Sequence, residues 1–247
     1  MADSAPVTTV QLVVVAVAIF SAAFVQVIAG FGFALLCMPI MTLAVPVAQA
    51  VVVSTLLGVL ATGWQSWHLR ADAVLPLVRR ISVAAYLGMP LGLVILNVVD
   101  DRALKMALGF AVLIATGLLA RRINLTHVGS HMDYGAGFLS GVLNTSLSTN
   151  GPPLVFLLQA RHLEAHQFRA TISAAFALSS IGGLTLFVAD GKITRDGLIA
   201  SAIALPAWGL GQLLGWPVRR HVHGERFRRL VLVRLLAAGV TTIAFAL

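Results

Sequence analysis

Seven stretches of the chain are apolar over about the 20 residues that a helix needs to cross the hydrocarbon core of a bilayer. Short polar segments separate them, and no linker or low-complexity tract is long enough to fold alone. The pattern predicts seven membrane helices at residues 7–28, 47–67, 75–99, 103–120, 168–189, 198–218 and 230–247.

Two further apolar stretches are interrupted in the same way. Residues 26–40 read QVIAGFGFALLCMPI, and residues 140–154 read SGVLNTSLSTNGPPL. Each places glycine or polar residues and a proline within apolar sequence, which predicts short helical pieces at residues 31–45 and at 134–147 with 152–159. Non-helical backbone at membrane depth is tolerated only where protein, water or a ligand satisfies its polar groups. Paired broken helices of this kind point to the binding site of a transporter.

Composition agrees with an all-α polytopic membrane protein that forms one transmembrane domain over residues 1–247. Apolar residues make up 59% of the chain and charged residues 11%, whereas a soluble domain carries about a quarter charged residues. Cys37 is the one cysteine, so a disulfide framework and a thiol metal cluster are both excluded. The first residues lack the basic region of a signal peptide, and we expect the first apolar stretch to be kept as a membrane helix.

The net charge of +8 reports orientation rather than nucleic-acid binding, because no aromatic residues are interleaved with the basic ones. Twelve of the 17 lysine and arginine residues lie in four loops, which we expect to face the cytoplasm: 68–80, 121–133, 161–169 and 219–229. Residues 100–105, residues 190–196 and both termini are then outside. This assignment requires residues 7–45 to start and finish outside and residues 134–159 to start and finish inside. Each interrupted stretch is therefore predicted to be a hairpin.

The chain divides into two units, at about residues 7–122 and 131–247, each a broken-helix hairpin followed by three transmembrane helices. The second unit is predicted to be inverted relative to the first, as in many secondary transporters. Internal likeness supports two units: Gly30 precedes Pro39 by nine residues and Asn144 precedes Pro153 by nine. Glycine pairs four residues apart predict close helix packing in both units, at Gly88 with Gly92 and Gly211 with Gly215.

The second interrupted stretch carries the clearest candidate chemistry. A half-helix should begin at its two prolines, with Thr149 or Asn150 as the cap. The positive end of that helix and its free N–H groups favour an anion, and the neighbouring hydroxyl and amide groups add neutral donors for a tetrahedral or pyramidal oxyanion. The alternative, that these groups only satisfy the broken backbone, stays open. The candidate substrate-binding residues are Gly30, Gly32, Pro39, Asn144, Thr145, Ser146, Ser148, Thr149, Asn150, Gly151, Pro152, Pro153 and Arg234.

Other residue types narrow the substrate. Arg234 is the one basic residue placed well inside a predicted span, where it either attracts the substrate or extends its side chain toward the cytoplasm. All nine aspartate and glutamate residues fall in loops or at helix ends, so we expect no buried carboxylate to hold a sodium ion or a proton, and no cation substrate. The histidines also fall in predicted cytoplasmic loops or at their edges. No catalytic, nucleotide-binding or metal-binding motif is present, and we expect neither an enzyme nor a cofactor.

Two motifs give the chain a family resemblance. Residues 29–39 (AGFGFALLCMP) and 135–158 (GAGFLSGVLNTSLSTNGPPLVFLL), with the spans around them, resemble the TauE/SafE sulfite and organosulfonate exporters over nearly the whole chain. The first motif of that family often has more consecutive glycines before its proline. Its second motif usually has two glycines before the prolines, and Asn150 replaces the first of these here.

The resemblance implies a secondary transporter in a bacterial inner membrane. It would export a small sulfur-containing anion, such as sulfite, sulfoacetate or a related organosulfonate, bound at the membrane midplane where the two hairpin tips meet. Its partners would be this anion and the lipid bilayer. An anion channel and a membrane subunit of a sulfur-metabolism complex are the alternatives. The sequence leaves open which anion is carried, the direction of net transport, proton coupling and whether the protein forms a homo-oligomer.

Overall fold

The computed structural model describes residues 8–29, 32–120, 129–218 and 225–246, and these contain ten α-helices and no strand. Every helix and half-helix predicted from the apolar pattern is present, with bounds that differ by a few residues. The helices of the first unit are α1 (Thr9–Ala29), α2 (Phe33–Met41), α3 (Val47–Leu69), α4 (Leu75–Val98) and α5 (Asp101–Ala120). Those of the second unit are α6 (Ser130–Leu147), α7 (Gly151–Ala160), α8 (Ala165–Ala189), α9 (Arg195–Val218) and α10 (Glu225–Ala246).

Five of these helices are long and apolar enough to cross a bilayer, which confirms the all-α membrane class. They are α1, α3, α4, α8 and α9. Helix α5 begins with Asp101, Arg102 and Lys105, and the apolar part described for α10 is the shorter segment Leu232–Ala246. The membrane spans that the sequence predicts for α5 and α10 therefore stay predictions.

Helices of the two units pair in a symmetric way. Helix α4 of the first unit packs on α6 of the second, and α9 of the second packs on α1 of the first. Helix α3 packs on α8, and α5 on α10, so each of these helices meets its own counterpart. Two structurally related units would give this reciprocal packing of helices. The inverted orientation of the second unit in the membrane stays a prediction.

The paired glycines lie where those helices approach most closely, as their spacing predicts. A Cβ atom on Gly88 would overlap the carbonyl oxygen of Phe138, and one on Gly92 would overlap that of Val142, both on α6. On α9, a Cβ atom on Gly211 would lie 2.7 Å from the carbonyl oxygen of Phe20 on α1. Side chains larger than hydrogen at these positions would force the helices apart.

Each hairpin is closed at its base by a hydrogen bond between the start of its first helix and the end of its second. In the first hairpin, Gln11 Nε2 donates to the carbonyl oxygen of Ala44 at 2.9 Å. In the second, Arg161 Nη2 donates to Oδ1 of Asp133 at 2.7 Å and its Nε donates to the same oxygen at 2.9 Å. Arg80 of α4 pairs with Oδ2 of Asp133 at 3.2 Å.

The side chain of Asp133 is fully buried, which the sequence did not predict for a carboxylate at a helix end. Its position in the first turn of α6, next to a basic loop, resembles that of a surface residue in sequence, which explains this difference. The two arginines neutralise and occupy both carboxylate oxygens. Asp133 is therefore a structural anion and does not supply the unpaired carboxylate that a cation site at this position would require.

Candidate functional site

A small cavity of about 50 Å³ lies where the two interrupted stretches meet. It is lined by the start of α2, by the break between α6 and α7, by the end of α1 and by the middle of α3 and α8. Its lining residues are Gln26, Gly32, Phe33, Ala34, Leu35, Ser54, Thr55, Gly58, Thr62, Asn144, Ser148, Thr149, Asn150, Gly151, Phe176 and Ser180.

The first break contributes backbone rather than side chains. Gly32 ends the break with φ of 96°, in the left-handed region that favours glycine, and occupies the N-cap position of α2. The first-turn N–H groups of Phe33, Ala34 and Leu35 have no partner within α2, as in any helix. Gly32 has no side chain that could cap them. All three residues line the cavity. The positive end of the α2 dipole therefore lies at the cavity, an arrangement that favours an anion.

The second break is rich in polar side chains and poor in N–H groups. Ser148 ends α6 in the left-handed region, with φ of 56°. For a residue other than glycine this conformation is uncommon, and such residues cluster at ligand sites. Helix α7 begins at Gly151, one residue before the predicted start at the prolines, and Pro152 and Pro153 remove two of its first three N–H groups.

The predicted side-chain cap of α7 is wrong. Asn150 occupies the N-cap position, but its side chain makes no capping hydrogen bond. The Thr149 hydroxyl makes none either, and has no hydrogen-bond partner among the described residues. The start of α7 is instead held through the backbone, because Ser140 Oγ donates to the carbonyl oxygen of Asn150 at 3.0 Å. The side chains of Thr149 and Asn150 therefore remain available at the cavity.

The middle of α3 and α8 supplies lining residues that the sequence analysis missed. They are Ser54, Thr55, Gly58 and Thr62 on α3, with Phe176 and Ser180 on α8. Ser54 of α3 also contacts the second break directly, since its Oγ donates to Ser148 Oγ at 2.6 Å. The signal in the sequence was weak, because single hydroxyl residues are common in apolar helices. Their spacing of three to four residues along α3 was the available clue.

Three buried polar atoms at the cavity have no hydrogen-bond partner among the described residues: Oγ1 of Thr149, Oγ1 of Thr55 and Oε1 of Gln26. These three residues are at most 4% exposed. A buried polar group without a partner costs free energy, so native proteins rarely leave one. Three such groups around one cavity indicate that a polar ligand completes their hydrogen bonding, as the two hydroxyl groups can each donate to an anion.

Other predicted site residues serve the fold. Thr145 Oγ1 donates to the carbonyl oxygen of Met89 at 2.6 Å, and Ser146 Oγ donates to that of Val142 at 2.7 Å. Asn144 lines the cavity, but its Nδ2 donates to the carbonyl oxygen of Ser179 at 3.0 Å. The contacts of Thr145 and Ser146 therefore fit the alternative, in which the polar side chains only form hydrogen bonds to the backbone.

The remaining predicted residues lie away from the small cavity or outside the described residues. Pro39 is buried within α2, and Pro152 and Pro153 follow Gly151 in the first turn of α7, but none of the three lines the cavity. Arg234 is exposed on α10 and does not line it. Gly30 lies outside the described residues.

The small cavity is polar without being charged. None of its described lining residues is aspartate, glutamate, lysine or arginine. Its volume of about 50 Å³ is far below the roughly 300–1,000 Å³ of pockets that hold drug-sized ligands, so it suits a small ligand. Among the described residues, no group of three or more histidine, cysteine, aspartate or glutamate side chains is arranged to hold a metal ion.

Comparison with known proteins gives the family. The model of the family "Sulfite exporter TauE/SafE" matches residues 15–242. The chain belongs to this family. The match includes both breaks and every helix that lines the small cavity, and it confirms the resemblance seen in the two motifs.

A curated relative is similar over part of its length. It is a probable inner membrane transporter protein TsaS of Comamonas testosteroni, 32% identical over 104 residues. The aligned region covers 42% of this chain and 44% of the relative, so it spans less than half of either protein. No solved structure matches the chain. Both the family and the relative carry the names of transport proteins rather than enzymes, in agreement with the sequence analysis.

Proposed function

We propose that this protein is a secondary transporter that exports a small sulfur oxyanion, of the size of sulfite, across the inner membrane of a bacterium. The observation that carries the proposal is the meeting of both helix breaks at one small uncharged cavity. Broken helices whose N-termini face a common cavity form the usual anion site of a secondary transporter. The family description and the name of the relative support the same class of function.

The depth of the cavity supports a transport site. Gly58 lies at the centre of α3, and Phe176 and Ser180 lie on either side of the centre of α8. Both helices are long enough to span a bilayer, so residues at their centres are near mid-depth. An anion held there is equally far from both sides of the membrane, as alternating access requires.

The chemistry of the lining fits an oxyanion. The α2 N-terminus offers backbone N–H groups, and Thr55 and Thr149 offer hydroxyl groups, so donors approach from three elements. Donors without full charges bind an anion without forming an ion pair. We infer that this permits release of the anion. An anion paired with a full positive charge in a buried site would cost much more free energy to remove.

Size favours the smaller members of the substrate class. Sulfite has only four non-hydrogen atoms, and the cavity of about 50 Å³ is small compared with the roughly 300–1,000 Å³ of pockets for drug-sized ligands. Organosulfonates such as sulfoacetate are larger, and they would require the breaks to move apart. We therefore expect sulfite to bind more tightly than sulfoacetate when both are compared on the same purified protein.

Two threonines four residues apart make a matched test. Both are fully buried, but Thr149 lines the cavity without a partner and Thr145 bonds the carbonyl oxygen of Met89. Thr149→Val removes a donor to a charged ligand, so it should weaken sulfite binding by about 1–3 kcal/mol, or roughly five- to hundredfold. Thr145→Val should lower thermal stability and leave the affinity of the folded fraction near the wild-type value.

Calorimetric titration and thermal unfolding of both purified variants in detergent check this contrast. Equal sulfite affinity in the two variants would assign both threonines to the fold and remove the cavity from the proposal. Saturable sulfite counterflow in sealed vesicles containing the purified protein alone would distinguish a carrier from a channel and from a subunit that needs partners.

A further inference from the structure

A second, larger cavity of about 450 Å³ lies between the C-terminal halves of α1, α3 and α9. This volume is in the range of small-molecule binding pockets. Its lining residues are Gln26, Val27, Ala61, Trp64, Gln65, His68, Leu69, Trp208, Gln212, Leu213 and Trp216. Apart from the histidine, which the sequence places at a predicted loop edge, none of these residues was assigned a position or role from the sequence.

The polar groups of the larger cavity are neutral amides from three helices. Gln26 lies on α1, Gln65 on α3 and Gln212 on α9. His68 is at the end of α3, where its Nδ1 is 2.9 Å from the carbonyl oxygen of Trp64. None of the described lining residues is aspartate, glutamate, lysine or arginine. The larger cavity thus offers neutral donors, as the small cavity does.

Gln26 lies between the two cavities, because it lines both. Its side chain is 3% exposed, and its Oε1 has no hydrogen-bond partner among the described residues. The indole Nε1 of Trp208, which lines the larger cavity, is a second buried polar atom without a described partner. Of these two atoms, the indole N–H of Trp208 is the one that can donate to an anion, and it lies at the larger cavity.

We propose that the larger cavity is a transit site for the transported anion, which passes Gln26 to reach the small cavity. This inference rests on the proposed function and adds the route by which the anion enters. The occupant is the transported anion itself, because Gln26 borders both cavities and the larger one offers amide groups and the unpaired indole N–H of Trp208. The cavity lies near the ends of α3 and α9, whose loops are predicted to be cytoplasmic, and this is the side from which an exporter loads.

A cysteine introduced into the larger cavity tests the route. The native Cys37 is the one cysteine in the sequence and is fully buried, so it should not react in the folded protein. Gln212→Cys and Gln65→Cys place a thiol on two different walls of the cavity, so the test survives if one variant fails to fold. Leu210→Cys is the matched control, since Leu210 lies on α9 two residues before Gln212, is exposed, and lines neither described cavity.

Each purified variant is labelled with N-ethylmaleimide in detergent, checked by mass spectrometry, freed of reagent and placed in vesicles for sulfite counterflow. We expect labelling at residues 212 and 65 to slow exchange about tenfold or more, which corresponds to a barrier raised by about 1.4 kcal/mol. Labelling at residue 210 should change the exchange rate less than twofold.

The outcomes separate this inference from the proposed function. Full exchange by the labelled Gln212→Cys and Gln65→Cys proteins would remove the larger cavity from the route and leave the small cavity as the site. Absence of exchange by the unlabelled wild-type protein, with sulfite inside and outside, would instead overturn the proposed function. An equal loss on labelling residue 210 would show a general effect of modifying α9 and would also overturn the transit site.

Discussion

The break before α2 and the break before α7 lie against the same cavity, but they present donors by different means. The first has Gly32 followed by Phe33, Ala34 and Leu35, so its donors are backbone N–H groups. The second has hydroxyl and amide side chains, and its prolines remove N–H groups from the helix start. A donor set made of backbone changes little with sequence, whereas one made of side chains can be altered by substitution. We therefore expect the second break to determine selectivity among anions.

The bases of the two hairpins also differ. Among the described residues, a neutral hydrogen bond from Gln11 to Ala44 closes the first, while the buried Asp133 with Arg80 and Arg161 closes the second. The charged base ties α6, α4 and the end of α7 together, so the second hairpin is anchored to the adjoining α4–α6 pair. The first hairpin is less constrained at this end. The following predictions test how far these differences extend.

The largest contrast is predicted between the two sides of the membrane. Glu164 and Lys192 lie just before and just after α8, which is long enough to span the bilayer. The charge distribution predicts that Glu164 faces the cytoplasm and Lys192 the outside. Lys192→Cys should react with an impermeant thiol reagent added to intact cells, and Glu164→Cys should react only after the membrane is opened. Reaction of Glu164→Cys in intact cells would refute the inverted second unit.

The next largest effect is expected at the hairpin bases. Asp133→Asn leaves two arginines without their buried anion, and breaking a buried pair costs about 3–5 kcal/mol, at the lower end here because both arginines reach solvent. Gln11→Leu removes the neutral hydrogen bond to Ala44, worth about 0.5–1.5 kcal/mol, and an exposed one accepted from the N–H of Thr8, which contributes less. Thermal unfolding in detergent should therefore show a much larger fall in Tm for Asp133→Asn.

Asp72 supplies the control for that comparison, because it is an exposed carboxylate in the short 3-10 helix Arg70–Asp72. Asp72→Asn should leave Tm near the wild-type value. If Asp133→Asn behaved like Asp72→Asn, the second hairpin would be held by its other contacts, and the proposed difference between the two bases would be absent.

A smaller effect is expected from a methyl group at the first break. No atom lies within 4 Å of a Cβ added to Gly32, so Gly32→Ala meets no steric overlap, but its φ of 96° costs a residue with a Cβ about 1–2 kcal/mol. Sulfite affinity should fall with stability, because relief of the strain would reorient the first turn of α2. Gly63→Ala is the control: it lies within α3, has the same free space, and should be neutral or slightly stabilising. Equal stability and affinity in both variants would show that the left-handed backbone is not needed.

The sequence predicted the fold well because glycine, proline and hydrophobicity act locally. The breaks at Gly32 and at Pro152 followed from residues that disfavour a continuous helix, and the helix bounds followed from apolar length. The partners of individual polar side chains did not follow, because these depend on contacts distant in sequence. Thr145 and Thr149 lie in the same polar stretch, and nothing in the sequence distinguishes their roles. Thr145 forms a hydrogen bond with the backbone of α4, whereas Thr149 lines the cavity.

The same limit explains the missed residues. Thr55 and Gln26 carry cavity-facing polar groups that only the packing of α1, α3 and α7 brings together. Asp133 appeared to be a surface carboxylate, because its two arginine partners are 53 and 28 residues away along the chain.

The central claim is that an oxyanion binds between the two breaks, and the position of a bound heavy atom tests it most directly. Selenite has the pyramidal shape of sulfite, and the anomalous scattering of selenium locates it in crystals of the protein. The account predicts one selenium site in the small cavity, with its oxygens within hydrogen-bonding distance of Thr149 and Thr55 and at the start of α2. Selenium bound only at surface arginines such as Arg234, with the small cavity empty at concentrations that saturate binding, would contradict it.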